Sequence, residues 1–211
     1  MQADIFLLVE WKKRRLFENV VDMTIDIEQT NFFVFSWLGA SVDKIEAYLR
    51  SDDFLKTNHC TISCSKLLKV EFLFHYNPNP KLAYFAPLNR GTCMITNLQD
   101  GWNTLFHNIT AALSIDGYHF VLSSEQEKDP YNCMQHIKNG TLERVVYVMK
   151  DGNKWVFYED GTPLWFEETN DYKKRLKKER VTKELLLKYC MELRILSDKK
   201  INFETVIITY N

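Results

Sequence analysis

Six bases crowd the run Tyr172-Lys-Lys-Arg-Leu-Lys-Lys-Glu-Arg180: Lys173, Lys174, Arg175, Lys177, Lys178 and Arg180. Ammonium and guanidinium groups at this density can pair with carboxylates on another protein or neutralise phosphates, each phosphate contact adding salt-dependent affinity. The stretch Glu159 to Asp171, just upstream, holds five acids and no base. The bases therefore also have carboxylates of their own chain within reach.

Other chemistries find weaker support. His59, Cys60, Cys64 and His75 are thiolate and imidazole donors close in sequence, but adjacent His59 and Cys60 suit shared ligation poorly and no Cys-x-x-Cys occurs, so no metal is expected. A cysteine nucleophile needs a base beside it. Cys133 precedes His136 by three residues, while Cys93 and Cys190 fall on predicted core faces. Glu143, Glu159, Asp160, Glu167 and Glu168 are the concentrated acids, with Trp155, Trp165 and Phe166 among them; an indole beside a carboxylate raises its pKa, but Asp160 and Glu168 fall at solvated turn and edge positions. There is no G-x-x-x-x-G-K-[ST], G-x-G-x-x-G or G-x-S-x-G, which argues against common nucleotide sites and the hydrolase elbow. An enzyme reading would rest on a pocket lined by Trp102, His107, Tyr118 or His119. No catalytic residue and no cofactor is expected.

Composition agrees with a packed domain. The 211 residues are 45% hydrophobic and 14% aromatic, enough for a sizeable core. The formal net charge of −1 supplies no global field toward nucleic acid or acidic membrane. No window approaches a membrane span, and the bases Lys12 to Arg15 follow the first apolar run where a secretory signal would have them precede it. Five unevenly spaced cysteines read as reduced thiols of a cytoplasmic protein.

The elements that must position these groups can be read from periodicity. Ile5 to Trp11, Val20 to Ile27 and Asn31 to Trp37 are apolar runs; Val21, Met23, Ile25 and Ile27 alternate with polar residues as in a half-buried strand. Ser41 caps a helix carrying Val42, Ile45 and Leu49. Leu67 to Tyr76, Lys81 to Pro87 and Thr92 to Thr96 form a meander with turns at Asn77 to Pro80 and at Asn89-Arg-Gly91. Trp102, Leu105, Phe106, Ile109 and Leu113 recur at helical spacing, Gly117 closes that helix, and Tyr118 to Ser123 is a strand.

Ser124 to Asn139 reads as a long surface loop or connection with a short helix around Cys133 to Ile137. Alternating runs around Asp151-Gly152 predict an aromatic hairpin over Leu142 to Phe166, with a second turn at Asp160-Gly161 before Pro163 to Phe166 and with Trp155, Phe157, Trp165 and Phe166 as core residues. A helix capped by Thr169 or Asn170 carries the bases, with Lys173, Lys177 and Arg180 as one stripe extended by Lys174 and Lys178. Thr182 caps a second helix whose Leu186, Tyr189, Cys190 and Leu193 share a face, and Phe203 to Tyr210 adds a final strand.

The expected fold is α+β: antiparallel sheets covered by a few amphipathic helices, with an N-terminal half over 1–123 and a C-terminal hairpin and helix pair over 124–211 packed as one unit. The expected function is non-catalytic protein binding, inhibitor-like or immunity-like, with Lys173, Lys174, Arg175, Lys177, Lys178 and Arg180 meeting an acidic partner protein. An enzyme near His107 and His119 and a nucleic-acid module using the same bases are the alternatives. No membrane association is expected, and oligomeric state is not legible.

Overall fold

A computed structural model describes residues 23–51, 63–65, 81–197, 200–203 and 206–209. The architecture is α+β. Met23–Asp26 (β1) pairs with Lys200–Phe203 (β10) in a two-stranded sheet. A nine-stranded antiparallel sheet carries the rest, in the order β3-β11-β4-β5-β2-β6-β7-β8-β9. Its strands are Phe32–Leu38 (β2), Ser63–Ser65 (β3), Leu82–Leu88 (β4), Gly91–Thr96 (β5), Asp116–Ser123 (β6), Tyr131–Lys138 (β7), Thr141–Asp151 (β8), Lys154–Gly161 (β9) and Val206–Thr209 (β11).

Helices cover both faces. Val42–Leu49 (α1) and Asn103–Leu113 (α2) pack on one side, where Ile45, Leu49, Leu105, Phe106 and Ile109 meet Phe85, Met94 and Ile137. Lys183–Glu192 (α3) lies on the other, where Leu186, Tyr189 and Cys190 join Phe35, Phe120, Met134 and Val146. Each large apolar side chain fully withdrawn from water contributes roughly 1.5–3 kcal/mol, so these two seams fix the layers. Beyond α1 and α2 the first face continues as a smaller cluster of Val34, Val121, Cys133 and Val145, flanked by Tyr131 and Tyr147. Among the described residues no helix is long and apolar enough to cross a membrane.

Caps follow the sequence closely. The Ser41 hydroxyl accepts from the Lys44 amide at 3.3 Å and Thr182 Oγ1 from the Leu185 amide at 3.2 Å. Val206–Thr209 joins the large sheet between β3 and β4, as the β-branched run predicts. The predicted strand Leu67 to Tyr76 and the turn Asn77 to Pro80 lie outside the described residues, as do the run Ile5 to Trp11 and the residues His59, Cys60 and His75.

Three expectations are corrected. Ser124 to Asn139 is no long loop and holds no helix at Cys133 to Ile137: Tyr131–Lys138 is a strand inside the sheet, paired to both β6 and β8. Its periodicity is hidden because both faces are covered, Cys133, Met134 and Ile137 being buried on a strand that also carries Asn132, Gln135 and His136. Those polar groups take specific partners, Asn132 Oδ1 accepting from the Ser123 amide at 2.8 Å. Gly117 does not close α2: Ser114, at φ +50, ends the helix, and Gly117 sits in β6, where a Cβ would stand 2.7 Å from the Phe106 ring. The bases Lys173 to Arg180 do not form a helix.

Candidate functional site

The basic segment is two single turns joined by extended backbone. Asp171–Lys173 and Lys177–Glu179 are 3₁₀ turns, and between them Lys174 has ψ 143 and Leu176 has φ −84, ψ 114. The i, i+4 stripe expected of Lys173, Lys177 and Arg180 therefore does not exist. Two reasons are visible. Six like charges at i, i+3 and i, i+4 repel on a continuous helix. Tertiary contacts at either end also hold the chain in another path.

The upstream anchor is a buried polar network. Arg144 lies on β8 with its side chain 1% exposed, and Glu167, 0% exposed, receives it in a fork: Nη2 donates to Oε2 at 2.7 Å and Nε to Oε1 at 3.0 Å. Nη2 also donates to Glu159 Oε2 at 2.8 Å, and Nη1 to the carbonyls of Asp160 and Gly161 at 3.1 and 3.0 Å. Burial opposes the charge on Arg144, but the bonds to Glu167 and Glu159 outweigh it and hold its pKa above the ordinary arginine value. Glu167 accepts further from the Leu164 amide and the Tyr172 hydroxyl, both at 2.8 Å. Tyr172 and Tyr189 hydroxyls lie 3.0 Å apart, and burial, followed by their mutual bond, raises the Tyr172 pKa. With each polar group partnered, the network fixes Tyr172, the residue that opens the basic run.

The downstream anchor is Arg180. Its Nε donates to the Lys174 carbonyl at 2.8 Å and its guanidinium sits 5.0 Å from the centroid of the Phe157 ring. Arg180 is thus engaged in holding the segment. Lys174 pairs with Asp171 at 3.1 Å and Lys178 with Glu125 at 3.0 Å, so two more bases are met by acids of the chain itself. Lys173, Arg175 and Lys177 remain exposed, with no ion pair among the described residues.

Trp165 is a further correction. Expected in the core, it is 77% exposed, with Phe166 buried beneath it at 5.5 Å in an edge-on contact. Trp155 and Phe157 do pack against the core and Phe166 is buried, so three of the four aromatics lie where alternation puts them. Leu176, among the bases, is 45% exposed. The sequence signal for Trp165 is its place after Pro163, beyond the end of β9; Asp160 and Gly161 are the last paired residues of that strand and do not make the second turn expected there.

The histidines of the alternative reading are arranged differently. His119 is 2% exposed, its Nδ1 lies 2.9 Å from Ser36 Oγ, and burial, with His107 second, lowers its pKa to about 4. His107 and His119 both flank Phe106, at 6.1 and 5.9 Å between ring centroids. Ser36 is fully buried, so this Ser-His pair meets no substrate from solvent. Cys93, Cys133 and Cys190 are buried and free, and burial raises all three thiols, Cys133 to about 12. Nucleophilic thiolates need the opposite environment.

A separate cleft of about 460 Å³ opens where Trp37 and Tyr118 face out between Arg90, Asp116 and the turn after α3 at Leu193 and Ile195. Tyr118 stacks on His136 at 4.6 Å, and His136 Nε2 lies 3.8 Å from Asp116. Of the residues expected to line a pocket, Tyr118 alone is among those around this cleft. Comparison with protein-family models, curated proteins and solved structures found no match for this chain.

Proposed function

We propose that this protein is a non-catalytic binding domain that meets an acidic surface of another protein through Lys173, Arg175 and Lys177, with Lys174, Lys178 and Arg180 shaping the segment that presents them. The carrying observation is that these three bases are exposed and unpaired among the described residues on a segment pinned at both ends. Pinning lowers the ordering cost of binding, since the backbone is set before the partner arrives. Trp165, exposed above a buried Phe166, supplies the kind of aromatic anchor that dominates interface energies. The buried free thiols fit a reducing compartment such as the cytoplasm.

The test is capture from cell extract by the purified chain and by a Lys173→Glu, Arg175→Glu, Lys177→Glu variant with matched thermal stability. Loss of an acidic protein from the variant's eluate supports the reading. Equal capture by both removes it, and retention of RNA at low salt by the wild type alone moves the face to nucleic acid.

A further inference from the structure

Strand β9 closes its end of the large sheet, and no strand follows it among the described residues. Its hairpin turn fixes which main-chain groups point outward. Asp151 pairs with Lys154 across two residues, and Gly152 has φ +57 while Asn153 does not share the left-handed region. This is the arrangement in which Asp151 and Lys154 exchange main-chain bonds. Bonded and non-bonded pairs then alternate, so Lys154, Val156, Tyr158 and Asp160 direct their amides and carbonyls to β8. Trp155, Phe157 and Glu159 direct theirs away. The neighbouring strand has the same phase: the Lys150 amide, opposite Trp155, donates to the Pro130 carbonyl at 3.0 Å, on the side of β7.

The outward groups of Trp155, Phe157 and Glu159 have no main-chain partner among the described residues. Edge strands are ordinarily guarded by proline, a bulge or a charge in mid-strand. The run Trp155-Val156-Phe157-Tyr158 has none of these, and its register with β8 is unbroken.

We propose that this edge pairs with β9 of a second copy of the chain, antiparallel about a twofold axis through Phe157. Outward groups then meet outward groups, Trp155 against Glu159 of the second copy and Phe157 against its own equivalent, forming about six main-chain hydrogen bonds. In the same register Lys154 stands opposite Asp160 of the second copy and Val156 opposite its Tyr158. The opposed charges occur twice by symmetry. Lys154 and Asp160 are exposed and have no ion pair of their own among the described residues.

Registers of the same phase with the axis at Val156 or Tyr158 set Lys154 against Tyr158 or Thr162 and Asp160 against Gly152 or Val156, so neither forms an opposed charge pair. Two further registers meet a clash. A twofold at Trp155 sets Asp151 against Glu159, two like charges. One at Glu159 sets Trp155 against Pro163, which has no amide to give. The charge pairs also lie away from the basic segment: Tyr158 stacks on Tyr147 at 5.3 Å on one face of the sheet, whereas Arg180 covers Phe157 on the other.

Sedimentation equilibrium on the full chain tests the proposal, independently of any acidic partner. Wild type should dimerise. Lys154→Asp and Asp160→Lys should each weaken the dimer by ~10-fold at low salt, since each turns two attractions into two repulsions. The double variant K154D/D160K should return to within ~3-fold of wild type, because the pairs are restored with their signs exchanged. Amide exchange at Trp155, Phe157 and Glu159 should slow as protein concentration rises. A chain that stays monomeric up to ~1 mM, or a dimer that either single variant leaves unchanged, overturns it.

Discussion

Glu167 takes the Arg144 guanidinium in a two-bond fork although 23 residues of chain separate them, and neither side chain is more than 1% exposed. The pair bolts the segment after β9 to β8 at the point where the pairing of the two strands ends. Through Tyr172 it also sets the start of the basic segment.

Removing one partner leaves the other charged and buried. Arg144→Ala should destabilise the fold by about 3–5 kcal/mol, read from urea denaturation midpoints. Replacing both, as Arg144→Met with Glu167→Leu, should cost less than the single change, because no charge is stranded. A double variant as unstable as Arg144→Ala would mean that the pair contributes more than it costs to desolvate.

His119 should make stability depend on pH. Burial holds its folded pKa near 4, against 6.5 for the free side chain, so protonation favours the unfolded chain. The stabilisation from its neutral form is complete above about pH 6.5 and is lost as pH falls through 4, amounting to about 3 kcal/mol at most. His119→Gln should flatten the fall in stability between pH 6.5 and pH 4 relative to wild type. An unchanged slope would assign the effect to another group.

Trp165→Ala should leave stability within about 0.5 kcal/mol of wild type, since the ring is mostly in water. The same change should weaken partner capture by at least ~30-fold if Trp165 anchors the interface. Titration calorimetry with the captured partner separates the two. Trp155→Ala, which removes a ring packed against the core, should show the reverse balance.

Gly161 ends β9 at φ +83, where an added Cβ would fall 2.0 Å from the Glu143 carbonyl. No flexible side chain is there to yield. Gly161→Ala should cost more than about 2 kcal/mol and disturb the Arg144 bonds to the Asp160 and Gly161 carbonyls. Gly152→Ala, with open space around it, carries the backbone penalty alone and should be milder.

Much of the fold was legible where local chemistry and tertiary packing agree. Ser41 and Thr182 cap as their side chains dictate, Trp102 to Leu113 shows its helical spacing, and Asp151-Gly152 marks its hairpin. Strand β7 was hidden because a strand covered on both faces loses its alternation, and its polar residues find partners only in the folded sheet. The basic segment failed for the opposite reason. Its residues favour helix, but Tyr172 is claimed by Glu167 and Tyr189, Arg180 by Phe157 and the Lys174 carbonyl, and a helix cannot satisfy both ends. The bases themselves were found from composition; which three are free could only come from knowing where Asp171 and Glu125 lie in space.

Val206–Thr209 enters the large sheet as a neighbour of Leu82–Leu88, far earlier in the chain. During synthesis β4 leaves the ribosome well before that neighbour exists. The amides and carbonyls along that edge of β4 must therefore wait unpaired, on a strand whose Ala83, Phe85 and Ala86 are destined for the interior. Slow translation or loss of the late strand would lengthen that exposure, making the nascent chain a client for holdase chaperones and the interval, rather than the finished fold, its point of vulnerability.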